Sequence, residues 1–108
     1  METYNNERAN QPALAVRIEA VKPFTKNTLR AFVDFELIES GLLIHGATVH
    51  EKGGSRWLTL PCREYEKGGQ RGWAPVIEVP DKRTRYRLQE SVLAAYDAYL
   101  ARPAGGAR

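Results

Sequence analysis

The densest run of chemically able side chains is Asp81-Lys82-Arg83-Thr84-Arg85-Tyr86-Arg87, with four cations in six positions. Lysines and arginines grouped in this way bind phosphate groups, and the backbone N–H groups at a helix start bind phosphate in the same place. The run opens a helical pattern, where each exposed first-turn cation opposes the helix dipole by about 0.3–1 kcal/mol. Stability alone would place acids there. An anionic partner explains the choice; so does a solvated basic face partly neutralised by Asp81 and Glu90. Arg63, Lys67 and Arg71, with Arg56 before them, make a second basic set. Tyr65 and Trp73 are interleaved with it and could stack unpaired bases, although an indole opening a strand also suits sealing a core edge. Phe32 stands among charged residues, where it either stacks a base or a partner or packs on a cross-strand neighbour.

Catalytic chemistry is poorly supplied. His45 and His50 are five apart, which on a regular strand puts them on opposite faces, so they are read as structural and not as a metal pair. Cys62 has no base and orienting group recognisable from its surroundings. Asp34 and Glu36 share a strand face without a partner constellation, and no phosphate-loop or dinucleotide motif is present. The chain is therefore read as a non-enzyme, with no metal, cofactor or small-molecule substrate inferred.

The 108 residues suit one domain, and a charged fraction of 27% with 43% hydrophobic residues is ordinary for a folded one. The formal charge of +3 is unevenly spread. Residues 1–51 hold five Lys and Arg against seven acids, and the remainder eleven against six. A single cysteine excludes an intrachain disulfide and suits a reducing compartment. No apolar run approaches the roughly 20 residues of a membrane helix, so a cytoplasmic protein without membrane contact is expected.

These residues need elements to hold them. Leu42–Arg63 contains two β-prone runs around Glu51-Lys52-Gly53-Gly54-Ser55, a hairpin signature in which Leu43, Ala47 and Val49 share a face. Before it, Leu14–Val21 alternates with Leu14, Val16, Ile18 and Ala20 on one face, and 22–28 reads as a loop. Leu29–Glu39 alternates with Ala31, Val33, Phe35 and Leu37 inward. After it, Glu64–Gly72 reads as a mobile glycine-rich loop and Trp73–Val79 as a short strand that Pro75 confines to an edge. Asp81 is the expected N-cap, with Thr84 the alternative one turn later, of a helix ending near Leu100, with Leu88 or Gln89, Val92, Tyr96 and Tyr99 on its docking stripe, widened by Leu93 and Leu100. The expectation is an α+β fold: about five antiparallel strands in a meander, then one C-terminal helix. The domain spans 13–101, between a disordered leader over 1–12 and a disordered tail over 102–108. One helix cannot cover such a sheet and open edges invite strand addition, so a homodimer that extends the sheet is expected.

The run Ile44-His45-Gly46-Ala47-Thr48-Val49, the glycine turn, and Trp57-Leu58-Thr59-Leu60-Pro61-Cys62-Arg63 resemble the central hairpin of the SpoVG (stage V sporulation protein G, septation regulator) family. A basic loop, a Pro-containing strand and the basic-headed helix Arg85–Tyr96 follow in the same order, so the resemblance covers residues 15–100. It implies a bacterial DNA- and RNA-binding regulator of transcription, dimeric, with its helix displayed toward nucleic acid. Lys82, Arg83, Arg85 and Arg87 would then contact phosphates, assisted by Arg63, Lys67 and Arg71. Gly46, Thr48, the loop near Gly68 and the leader depart from the family pattern, so target and pathway do not carry over. Two other readings stay open: a single-strand-binding sheet with Phe32, Trp57 or Trp73 stacking bases, and a protein-interaction module using the sheet face or edge.

Overall fold

The computed structural model describes residues 14–102. The expected leader, and the expected tail apart from Arg102, lie outside the described residues. The fold is α+β, as the alternation predicts. Strands β1 (Val16–Lys26), β2 (Leu29–Leu37), β3 (Leu42–Lys52) and β4 (Ser55–Thr59) form an antiparallel meander in that order. Strands β5 (Cys62–Lys67) and β6 (Gln70–Pro75) form a separate two-stranded sheet, and helix α1 (Lys82–Ala101) follows.

The expected count of about five strands is thus corrected to six among the described residues, in two sheets. The stretch 64–72, expected as a mobile loop, is most of a hairpin, turning at Gly68-Gly69 with φ of 59° and 80°. Two successive positive φ values match the right-handed twist of the flanking strands, which glycine adopts without strain. The expected strand 73–79 ends at Pro75, and 76–80 runs as an irregular strap. Of the expected loop at 22–28 only Asn27-Thr28 is a turn: β1 continues through Pro23 to Lys26, tolerated because β1 is an edge.

The core lies between one face of the meander and α1. Ala31, Val33 and Phe35 of β2, Ile44, Ala47 and Val49 of β3, and Leu88, Val92, Leu93 and Tyr96 of α1 are buried together. Complete burial of a side chain the size of Phe35 contributes up to about 3 kcal/mol. The helical stripe is as the spacing predicts from Leu88 to Tyr96, but Leu100 is 54% exposed. Ser91 sits buried on the docking face because its hydroxyl accepts from Leu14 N at 3.0 Å. Asp81 caps the helix as expected, its carboxylate accepting from Thr84 N at 2.8 Å and Thr84 Oγ1 at 2.6 Å.

Two bulges correct the faces read from strict alternation. In β1, Ile18 pairs Phe35 and Ala20 pairs Asp34, so Glu19 is extra and Val21, not Ala20, turns to the core. In β3, Ile44 pairs Phe35 and Ala47 pairs Val33, so His45 and Gly46 together oppose Asp34. Gly46 has φ +84°, the left-handed conformation such a bulge requires. Ile44 therefore enters the core and Leu43 is exposed, the reverse of the expected face. The same extra residue brings His45 and His50 onto the outer face together, where an unbulged strand would separate them.

Candidate nucleic-acid interface

The helix start presents its cations unequally. Lys82, Arg83 and Arg85 are exposed and Arg87 is half-buried. Arg85 Nη1 donates to Val79 O at 2.8 Å, which ties the strap to the first helical turn while leaving the guanidinium charge without a carboxylate partner in that contact. Hydrogen bonds from Thr84, then the fields of Arg83 and Arg85, hold the Asp81 carboxyl below its ordinary pKa. The cap thus stays ionised and already satisfies the Thr84 amide, so anion binding here falls to the side chains.

The second basic set is divided by the β5–β6 hairpin. Residues paired across an antiparallel ladder share a face. Arg63 pairs Ala74, Tyr65 pairs Gly72 and Lys67 pairs Gln70, so Arg63, Tyr65 and Lys67 lie on one face. Glu64 pairs Trp73 and Glu66 pairs Arg71 on the other. Arg71 there forms an ion pair with Glu64, Nη2 to Oε2 2.7 Å. The structure brings Arg63 and Lys67 together and places Arg71 opposite them, among acids. Tyr65 lies over Gly72, where an added Cβ would meet its Cζ and Oη at 2.8 Å. Glycine at 72 lets the phenol ring lie down across the ladder onto β6.

The hairpin joins the body at its base, where Val76 N donates to Pro61 O at 3.0 Å. All of β5 is exposed. Cys62 beside that base and Arg85 of α1 line one open groove of about 240 Å³, with Leu58, Ile77, Val79 and Leu88 as its apolar wall. The base of the hairpin, at Cys62, and the helix start, at Arg85, therefore meet at the same groove, which Glu78 also lines.

Other expected contacts have local roles. Arg56 makes a two-pronged pair with Asp97, Nη1–Oδ1 2.7 Å and Nη2–Oδ2 2.8 Å, clamping β4 to α1. Trp73 is 68% exposed and seals no core edge. Phe32 is half-buried on the outer sheet face, tilted against Phe24 with ring centroids 6.0 Å apart. Trp57 stacks on His50, centroids 5.4 Å apart and planes 5° apart. Thr28 Oγ1 and Thr48 Oγ1 each stand 2.9 Å from a ring nitrogen of His50. Burial, then Arg30, pushes the His50 pKa below the usual histidine value, so the stacked ring is neutral near pH 7. His45 pairs with Asp34 at 2.9 Å, and Gly46 N donates to the other carboxylate oxygen.

Sequence reasoning overlooked Phe24, His50, Lys22 and Arg30 as neighbours on one face. The alternation of Lys22 and Phe24 was the available signal, masked by Pro23. No group of three or more His, Cys, Asp or Glu side chains among the described residues is placed to hold a metal ion. No helix among them is long and apolar enough to cross a membrane. No family model, curated protein or solved structure matches the chain.

Proposed function

We propose that the protein is a non-enzymatic nucleic-acid-binding regulator that grips the phosphate backbone between its basic hairpin face and its basic helix start. The observation that carries this reading is the sorting of charge on β5–β6, a solvent-exposed ribbon with Arg63, Tyr65 and Lys67 on one side and, on the other, two glutamates with Arg71 held in an ion pair to Glu64. Only one side of such a ribbon is attractive to a polyanion, and a two-stranded ribbon fits the major groove of a duplex. Arg85 brings the cationic helix start to the shared groove, with Lys82, Arg83 and Arg87 in the same two turns. This arrangement is in keeping with the SpoVG resemblance, and a second copy added along the β1 edge would double the surface.

The test is fluorescence anisotropy with labelled duplex DNA and RNA across a salt series. Arg63→Ala/Lys67→Ala/Lys82→Ala/Arg83→Ala is run beside the parent. Four phosphate contacts predict an affinity loss of roughly 100-fold between 50 and 200 mM salt, and a markedly shallower salt slope in the variant. Duplex affinity that is indifferent to salt, or unchanged in the folded variant, would overturn the reading.

A further inference from the structure

The meander has two faces, and α1 covers one. On the other, half of the surface is built differently from the rest. Phe24 of β1 and Phe32 of β2 form one aromatic pair; His50 of β3 and Trp57 of β4 form a second. Register places them as neighbours across the sheet, since Lys22 pairs Phe32, Phe32 pairs Thr48, and His50 pairs Trp57. With adjacent strands about 4.8 Å apart, the two pairs span a platform roughly 14 Å wide.

The charges of this face are sorted as well. Asp34 and Glu36, with Glu19 beside Arg17, stand at the far end and are already engaged. Asp34 holds His45 and Gly46 N, and Glu36 accepts from Arg17 Nη2 at 2.6 Å. The cations beside the aromatic rings are not matched by carboxylates. Arg30 Nη1 donates to two carbonyls, Asn27 O at 2.7 Å and Leu29 O at 3.0 Å, which orient it without neutralising it. Lys22 adjoins Phe32 in the ladder. Flat rings, threonine hydroxyls and uncompensated cations suit a partner with π-faces and negative charge, and offer little to an aliphatic protein surface.

We propose that this half-face is a stacking platform for unpaired bases of single-stranded nucleic acid, one base at the Phe24–Phe32 pair and one at the His50–Trp57 pair, with Lys22 and Arg30 receiving the phosphates. It lies on the side of the sheet opposite α1, so it is a second site, distinct from the hairpin and helix start. Its ligand class is also different: a base-paired duplex keeps its π-faces hidden, so the platform selects single strands, DNA or RNA.

The test uses the full chain carrying Trp73→Phe, so that Trp57 is its sole tryptophan. Twelve-residue oligo(dT), oligo(rU) and a duplex of equal length are titrated while indole fluorescence is followed, and the oligo(dT) and oligo(rU) arms separate DNA from RNA. Quenching by the single strands but not by the duplex is expected. Phe24→Ala, at a side chain 47% exposed and hence dispensable for folding, should weaken single-strand binding about tenfold and leave duplex affinity unchanged. Its far-UV circular dichroism should match the parent's. Absence of quenching by both single strands, or equal affinity in folded Phe24→Ala, would overturn the proposal. So would sedimentation showing that Phe24→Ala dissociates a dimer without altering single-strand affinity, since the face would then belong to a second copy. The Arg63/Lys67/Lys82/Arg83 alanine variant separates the two sites: it should retain Trp57 quenching, so loss of duplex binding bears on the backbone grip alone.

Discussion

His50 is where a single side chain links packing to solution conditions. It is stacked on Trp57 and approached by two threonine hydroxyls, and its pKa is lowered first by burial and then by Arg30. In the unfolded chain the imidazole takes up a proton near pH 6.5, while the folded ring stays neutral to a lower pH. Stability is therefore fully present above that value and is lost as pH falls through it toward the folded pKa. Asp34 and Asp97 have depressed pKa values because of hydrogen bonds from His45 and Arg56, so their contributions are lost only on further acidification, below about pH 4. Urea midpoints should thus decline between about pH 7.5 and pH 5, and His50→Gln should flatten that decline. Equal pH dependence in the two proteins would count against a neutral, half-buried imidazole.

At the scale of the element, the β3 bulge decides which side chains reach the core. Gly46 at φ +84° has nothing within 4 Å of an added Cβ, so replacement there costs backbone energy and no clash. Gly46→Ala should lower stability by about 1–2 kcal/mol, measured by urea denaturation. Gly46→Asn should cost less, because asparagine enters the left-handed region more readily. This is also where the sequence stops being legible. Alternation in Ala31, Val33 and Phe35 gives β2 its inner face directly, and the Asp81 cap and the Leu88 to Tyr96 stripe give the helix. A one-residue bulge leaves no mark in hydrophobicity, so Leu43 is read as inward when Ile44 is. The second hairpin escapes notice for another reason. It carries the same two-glycine turn as the first, but its strands bury no face, and without burial there is no apolar alternation to read.

Among the described residues the fold rests on one thin core, a single sheet face against a single helix. Phe35 is 0% exposed at its centre and meets both layers. Phe35→Ala should remove about 3–5 kcal/mol, a large part of the roughly 5–15 kcal/mol that a small domain has. The expected result is a thermal midpoint well below the parent's, with one cooperative transition. The candidate sites were partly legible at this scale too. The basic run at 82–87 is plain in the sequence, whereas the platform needs four strands in register before Phe24, Phe32, His50 and Trp57 become neighbours. The hairpin β5–β6 stands apart from that core, with a ladder of its own and a backbone bond at its base. Folding therefore exerts little selection on what its side chains are. The residues between Pro61 and Val76 can change by drift, or be exchanged for another ribbon by design, and the rest of the chain has almost no say in the result. It is the part of this protein best suited to acquiring a new target.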